Sequence, residues 1–516
     1  MAKWGAIISL VRLLIRAIKT TYKYETLLVL LYLLTRLINL TALPIFNDES
    51  IYLDWGWREF TEPHNLYFSL FDGKQPFLMW IFGFFEILIP DQLFAGRLVS
   101  VIAGFLSLIG IYLVSRKLAD KKIAYVAMLL YIVIPIFTFY DRQALMESAI
   151  SCVGIWAFYL FILNVTKPKL IYGISLGAVL GIGLFIKSTP LIFLLTIFLI
   201  TFYVIYNSNN SKFKKKFLFV QIISFLVSQI ILLPLYSQPR FQEIALLNSR
   251  YSYSITDVLG NFWPILFANS KDTIELLFFY FTPILFALLI IGTAVMIRNE
   301  SRLSKFLVSW LMLNIISFIL LTKSPSTRYI VALLPLSTII CSYAILKFAR
   351  AKKKTLVFSS LGIYIALFTT AILILSPINY FYLLNNYTKF SDMGYINGWT
   401  SGYGIEDARK LILKESKGKT IKVEVRHDYG NPEDAMYVYF HKSKNIKISY
   451  IDFFCDGIYG KSYSGNIKTP IYFVSRGGQY GGNEKCLIEI KRFYKPDKQE
   501  FIGVYKVRTH TLLKRS

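Results

Sequence analysis

Apolar stretches long enough to cross a bilayer recur through the first three quarters of this chain, and nothing else in it limits the fold as strongly. A helix needs roughly 17–25 predominantly apolar residues to span the hydrocarbon core. Such runs are read near 26–42, 93–115, 123–140, 143–163, 170–186, 190–206, 217–236, 276–297, 306–322, 328–346 and 355–377. A 516-residue chain that is 55% hydrophobic, with a mean hydropathy of +0.50, does not have the composition of a soluble domain. The expected fold class is an all-α polytopic membrane protein of about eleven spans with interfacial helices, plus a small C-terminal extracytoplasmic α/β domain.

The formal charge of +26 is distributed by topology. Arg12/Arg16/Lys19/Lys23, Arg116/Lys117/Lys121/Lys122, Lys167/Lys169, Lys212/Lys214/Lys215/Lys216, Arg298/Arg302/Lys305 and Arg350/Lys352/Lys353/Lys354 all fall on one side of the expected spans. The positive-inside rule makes that side cytoplasmic and points away from nucleic acid as the reason for the charge. The expected location is the cell membrane, multi-pass, with a cytoplasmic N-terminus and an extracytoplasmic C-terminal domain. Phe77 to Pro90 is apolar but short and carries Glu86. Counting it as a span would turn every later basic cluster outward, so it reads as an interfacial or re-entrant helix on the outer face.

Three regions follow. Residues 1–25 form a basic amphipathic N-terminus suited to anionic inner-leaflet lipid, with no small-x-small cleavage site before Thr26. Residues 26–378 form the transmembrane region, with a first outer loop at 43–92. Residues 379–516 are polar and alternate. Strands are expected there at Thr420–Arg426, Ala435–Phe440, Ile446–Ile451, Pro470–Ser475, Cys486–Ile490 and Phe501–Val507, with a helix at Ile405–Glu415. Cys152 and Cys341 lie within spans, whereas Cys455 and Cys486 share the oxidising side, where a disulfide is permitted. With four histidines and no metal-ligand spacing, neither a metal nor another cofactor is expected.

Chemistry concentrates at the outer edge. Asp48-Glu49 follows the first span, Asp72-Gly73-Lys74-Gln75-Pro76 precedes the interfacial helix, and Asp141-Arg142 leads to Glu147 at the turn into the fourth span. Carboxylates there can accept a proton from a hydroxyl, and cations can hold a phosphate at headgroup depth. Glu147 is the sharpest oddity, because an ionisable group inside a span ordinarily faces a cavity or a partner. Each also has a plainer reading. Asp48 and Glu49 can solvate a loop, Lys74 can snorkel, and Arg142 can pair with Glu147 across a helical turn. Arg36 in the first span reads as an interhelical pairing residue. Trp399 and Tyr403, in the Gly398–Gly404 run, can stack on a sugar or simply belong to a helix-capping turn. Asn431 and Asp434 read as loop residues.

The order of these elements resembles the GT-C glycosyltransferases, and within them the protein O-mannosyltransferase and aminoarabinose transferase group. It comprises the acidic pair after span one, Lys-x-Pro before an apolar helix, Gly96-Arg97-Leu98-Val99-Ser100 opening span two, and Arg142 before Glu147. Lys187-Ser188-Thr189-Pro190 resembles that group's Thr-Lys-Gly-Pro turn, and Ser326-Thr327-Arg328-Tyr329 its later Arg-Tyr turn. The likeness covers about residues 26–350. It departs at Gln75, where the group commonly has proline, at Glu147, where it usually has aspartate, and at Ser188, where it has glycine.

The resemblance implies a transferase that takes a sugar from a polyprenyl-phosphate donor to a protein, lipid or glycan acceptor on the outer face of the bilayer. It implies Asp48 as general base, Glu49 and Glu147 as further catalytic acids, and Lys74, Arg142 and Arg328 as donor-phosphate ligands. A sugar on a lipid phosphate already carries a good leaving group, so a base and cations suffice and no divalent metal is called for. The competing classes are a flippase or transporter, with Arg36, Glu147 and Lys187 lining a pathway, and a membrane-anchored binding protein. The absence of an inverted repeat, few broken helices and the clustering of charge at the outer edge weigh against transport. Eleven spans are more anchor than a binding module needs.

Overall fold

The computed structural model describes residues 23–299, 301–349, 353–428, 430–451, 469–477 and 487–507. All but Lys23 of the expected N-terminal amphipathic face lies outside the described residues, as do Cys455 and Cys486. The chain divides into two compact units. One holds Met1–Leu40, Tyr67–Leu78 and Arg97–Ser376, and the other Thr41–Leu66, Met79–Gly96 and Pro377–Ser516.

The first unit is helical. Five helices among the described residues are long and apolar enough to cross a membrane, and up to seven if each of two bent pairs is one span. Each of the eleven expected spans overlaps helix, but three are interrupted. The 123–140 run breaks at Ile134, whose extended backbone (φ −75°, ψ 122°) precedes Pro135. The expected 276–297 span is in fact two helices, Phe262–Tyr280 and Pro283–Asn299, with Thr282 between them at φ +66° and a bend of 117°. The 328–346 run bends by 65° around Pro335. Proline has no N–H to give to the preceding turn and disfavours helical backbone in the residue before it, which accounts for breaks inside otherwise continuous apolar runs.

Helices Leu170–Ile186 and Ser211–Tyr236 show how the sequence sets the packing. Gly173, Gly177 and Gly181 recur every four residues and so share one helix face. A Cβ on each would run into Val220, Ser224 and Ser228 or Ile231 of the partner helix. Small residues at this spacing let two backbones approach where lipid supplies no hydrophobic drive.

The second unit carries the α/β domain. Its sheet has the order β2-β1-β3-β5-β4, with β1 at Ile421–Arg426, β2 at Ile446–Ile451, β3 at Ile471–Arg476, β4 at Leu487–Tyr494 and β5 at Phe501–Val507. β1 pairs in parallel with β2 and β3, and β5 is antiparallel to β3 and β4. Helix Ile405–Ser416 lies where expected. The segment expected as a strand at Ala435–Phe440 is instead the helix Glu433–Phe440, which crosses from β1 to β2. Two parallel neighbours require such a crossover, and Glu433 and Asp434 in its first turn favour its N-terminus. That helix packs on Asn47–Thr61, the helix that begins with the acidic pair.

Candidate active site

The expected site residues fall in both units, and each set is described within its own. In the first unit, Glu147 opens helix Glu147–Thr166 and is buried. Its Oε1 accepts from Lys187 Nζ at 2.9 Å and from Arg328 Nε at 3.0 Å. Its Oε2 is buried without a hydrogen-bond partner among the described residues. One carboxylate therefore holds two cations side by side, leaving a net positive charge. Lys187 was not among the expected site residues of the transferase; the sequence placed it only as a pathway-lining residue in the transporter reading. The Thr-Lys-Gly-Pro-like turn was the available signal.

Lys74 belongs to the same unit. Gly73, in left-handed conformation (φ +66°), ends a 3₁₀ turn at Phe68–Asp72 and presents Lys74, which lies 3.7 Å from Asp72. Its Nζ sits over the Tyr251 ring at 5.6 Å, and Lys187 Nζ over the Tyr329 ring at 5.2 Å. Those two rings lie 6.3 Å apart. Two of the departures from the family pattern meet here. Gln75 Nε2 donates to Ser188 Oγ at 2.8 Å, and Asn248 Nδ2 donates to the same oxygen at 3.1 Å. A side-chain bond between the neighbours of Lys74 and Lys187 thus ties the two lysine turns together.

Arg142 is placed differently. Its Nη1 donates to the carbonyls of Thr35, Arg36 and Ile38 at 2.8–3.0 Å, and its Nη2 to that of Asn39 at 2.7 Å. Thr35 and Arg36 lie in the last turn of helix Lys23–Leu37 and Ile38 and Asn39 directly follow it, so Arg142 serves carbonyls at the helix end, where a cation also complements the helix dipole. It does not form the helical-turn pair with Glu147. Arg36 is an interhelical pairing residue, as read from the sequence: it bonds Asp141 Oδ2 at 3.1 Å, with Tyr131 and Ser148 donating to the other Asp141 oxygen.

In the second unit, Asp48 is half-buried between buried Asn47 and Glu49 at the start of helix Asn47–Thr61. Glu49 Oε2 accepts the Phe46 N–H at 2.9 Å, the back-bond of a capping box. Glu49 therefore anchors the turn that carries Asp48. Behind it, Arg58 Nε donates to both Asp54 oxygens at 2.9 and 3.0 Å and lies over the Tyr437 ring at 4.3 Å. The Tyr450 hydroxyl donates to Asp434 Oδ1 at 3.0 Å. Burial first, and then the charge of Asp54, pushes the Asp434 carboxyl up to about 8. Asp54, paired with Arg58, carries the negative charge of the cluster.

These features define a multi-pass helical membrane protein with a small α/β domain, and the comparisons with known proteins show a likeness in fold. The family model described as dolichyl-phosphate-mannose-protein mannosyltransferase matches residues 73–235, the segment that contains Lys74, Arg142, Glu147 and Lys187. The chain is similar in structure to ArnT from Cupriavidus metallidurans bound to undecaprenyl phosphate, with a TM-score of 0.58 at 13% identity over 94% of this chain and 98% of that one. The apo ArnT gives a TM-score of 0.56 at 13% identity over 98% of both chains. An Archaeoglobus fulgidus oligosaccharyltransferase with a tethered acceptor peptide gives 0.51 at 14% identity, over 84% of this chain and 64% of that one. No curated protein matches in sequence.

Proposed function

We propose that the protein is a glycosyltransferase that moves a sugar from a polyprenyl-phosphate donor to a hydroxyl-bearing protein, lipid or glycan on the outer face of the cell membrane. The observation that carries this reading is the Lys187–Glu147–Arg328 cluster, in which one buried carboxylate holds two cations. Lys74 is close enough to Lys187 for their charges to repel, so an anion between them would be drawn in. A polyprenyl phosphate has the matching chemistry, an apolar tail and an anionic head. The outward orientation rests on the six basic clusters on the opposite side of the spans.

In the proposed reaction Asp48 takes the proton of the acceptor hydroxyl as its oxygen attacks the anomeric carbon. The bond from that carbon to the phosphate oxygen breaks, and the electron pair leaves with the polyprenyl phosphate. Lys74, Lys187 and Arg328 balance the charge gained by the leaving group, which is where preorganised cations lower a barrier. One direct displacement inverts the anomeric carbon. Glu147 keeps the cations in place, and its Oε2, which has no hydrogen-bond partner among the described residues, can accept from a sugar hydroxyl. Glu49 orients the base turn, and Arg142 acts by holding the helix end before the loop.

The test is purified protein with radiolabelled polyprenyl-phosphate sugars of several kinds. Release of sugar to an acceptor supports transfer. One observation favours the second reading, a lipid-linked sugar flippase: two apolar helix pairs are bent, by 117° and 65°. Movement of the intact lipid-linked sugar across vesicles without cleavage would establish that reading instead.

A further inference from the structure

We propose that Asn47 and Asn431 are positioning residues for Asp48, so that the α/β domain takes part in transfer by holding the base carboxylate in place. This rests on the reading of Asp48 as base. Asn47 opens helix Asn47–Thr61 and is buried, and its side chain does not cap its own helix. Its Oδ1 instead accepts the backbone N–H of Asn431 at 2.9 Å. The amide is planar, with its oxygen and nitrogen on opposite sides. Fixing the oxygen on Asn431 turns the Nδ2 toward Asp48, whose Oδ1 it reaches at 3.4 Å.

Asn431 is tied to the same turn by its own side chain. Its Nδ2 donates to the carbonyls of Ile45 at 3.1 Å and Thr400 at 3.0 Å, and the Thr400 carbonyl also accepts the Asn47 N–H at 3.0 Å. Three chain segments around 45–48, 400 and 430–431 are thus held by hydrogen bonds that end on Asn47 or Asn431. Two glycines allow the approach. Gly430 has φ +92°, and a Cβ there would strike the Asn47 amide; a Cβ on Gly402 would strike the Ile45 carbonyl. Asp434 braces the loop from behind by accepting the Gly430 N–H at 2.7 Å.

The plain alternative is a buried polar network that only stabilises the second unit. What distinguishes positioning is the last bond, an amide N–H given to a half-buried carboxylate that the proposed reaction requires to be ionised. An N–H donor favours the charged form, so loosening it raises the pH at which the base protonates.

The experiment measures kcat, donor KM and the pH–rate profile of Asn431→Ala and Asn47→Ala in the full-length protein, beside Asp48→Asn. The expected result is a kcat lower by roughly 10-fold with donor KM within about twofold, because an orienting contact acts on the reacting step more than on donor binding. The acidic limb of the profile is expected to move toward higher pH in both asparagine variants. If Asp48→Asn is inactive while both asparagine variants keep the native kcat and acidic limb, positioning is overturned and the base reading stands. If Asp48→Asn turns over as the native protein does, both are overturned. Should one asparagine variant fail to fold, the other supplies the profile.

Discussion

Replacing Glu147 by glutamine changes the charge of the cation cluster by one and its shape hardly at all. The native carboxylate is 1% exposed and bonds Lys187 at 2.9 Å and Arg328 at 3.0 Å, which are themselves 24% and 20% exposed. With charge centres about 4 Å apart and an effective dielectric near 20, each attraction is worth about 4 kcal/mol before desolvation. Desolvating the buried carboxylate costs several kcal/mol of this. The net loss on substitution is therefore about 2–4 kcal/mol, and the two cations then repel one another. E147Q should unfold several degrees below the native protein when no ligand is bound. The same change makes the cluster more positive, so polyprenyl phosphate should raise the melting temperature of E147Q by more than it raises that of the native protein. The assay is thermal unfolding in detergent with and without polyprenyl phosphate. An E147Q protein that melts like the native one and gains no more from the ligand would refute the charge-balance reasoning.

Two further outcomes follow from the geometry. Arg142→Ala removes the donor to four carbonyls at the end of helix Lys23–Leu37, so it should lower stability by about 2–4 kcal/mol, checked by thermal unfolding. Polyprenyl-phosphate affinity measured on the folded fraction should be unchanged, since the guanidinium is already committed to the backbone. Asp434 has a raised pKa in the fold, so its contribution to stability is full below its ordinary carboxylate range and is lost as pH rises toward about 8. Asp434→Asn should therefore flatten the fall in melting temperature between roughly pH 5 and pH 8, measured against the native protein in the same buffers.

Much of the fold was legible because bilayer thickness imposes a length that a sequence cannot disguise. The breaks at Pro135, Pro283 and Pro335 were marked by the prolines themselves, but a long apolar run masks a break within it. Ala435–Phe440 misled through its tyrosines, valine and phenylalanine, which suit strands. Pro432 and the acids Glu433 and Asp434 were the local signs of a helix start. Arg36 could be read as a pairing residue because a charge within a span must find a partner. Arg142 could not be placed, since its partners are main-chain carbonyls that no side-chain pattern announces. The contact between Gln75 and Ser188 joins positions 113 residues apart. Asn431 read as loop chemistry because its bonds run to Asn47 and Ile45, which only the folded second unit brings near.

The central claim is that Asp48 is the base for sugar transfer from a polyprenyl phosphate. It is tested most directly by single-turnover release of radiolabelled sugar by the native protein and by Asp48→Asn, with polyprenyl-phosphate binding measured on the same preparations. The account predicts that the variant binds the lipid phosphate as the native protein does and transfers sugar slower by about 10²-fold or more. A folded Asp48→Asn protein that transfers sugar at the native rate would contradict it.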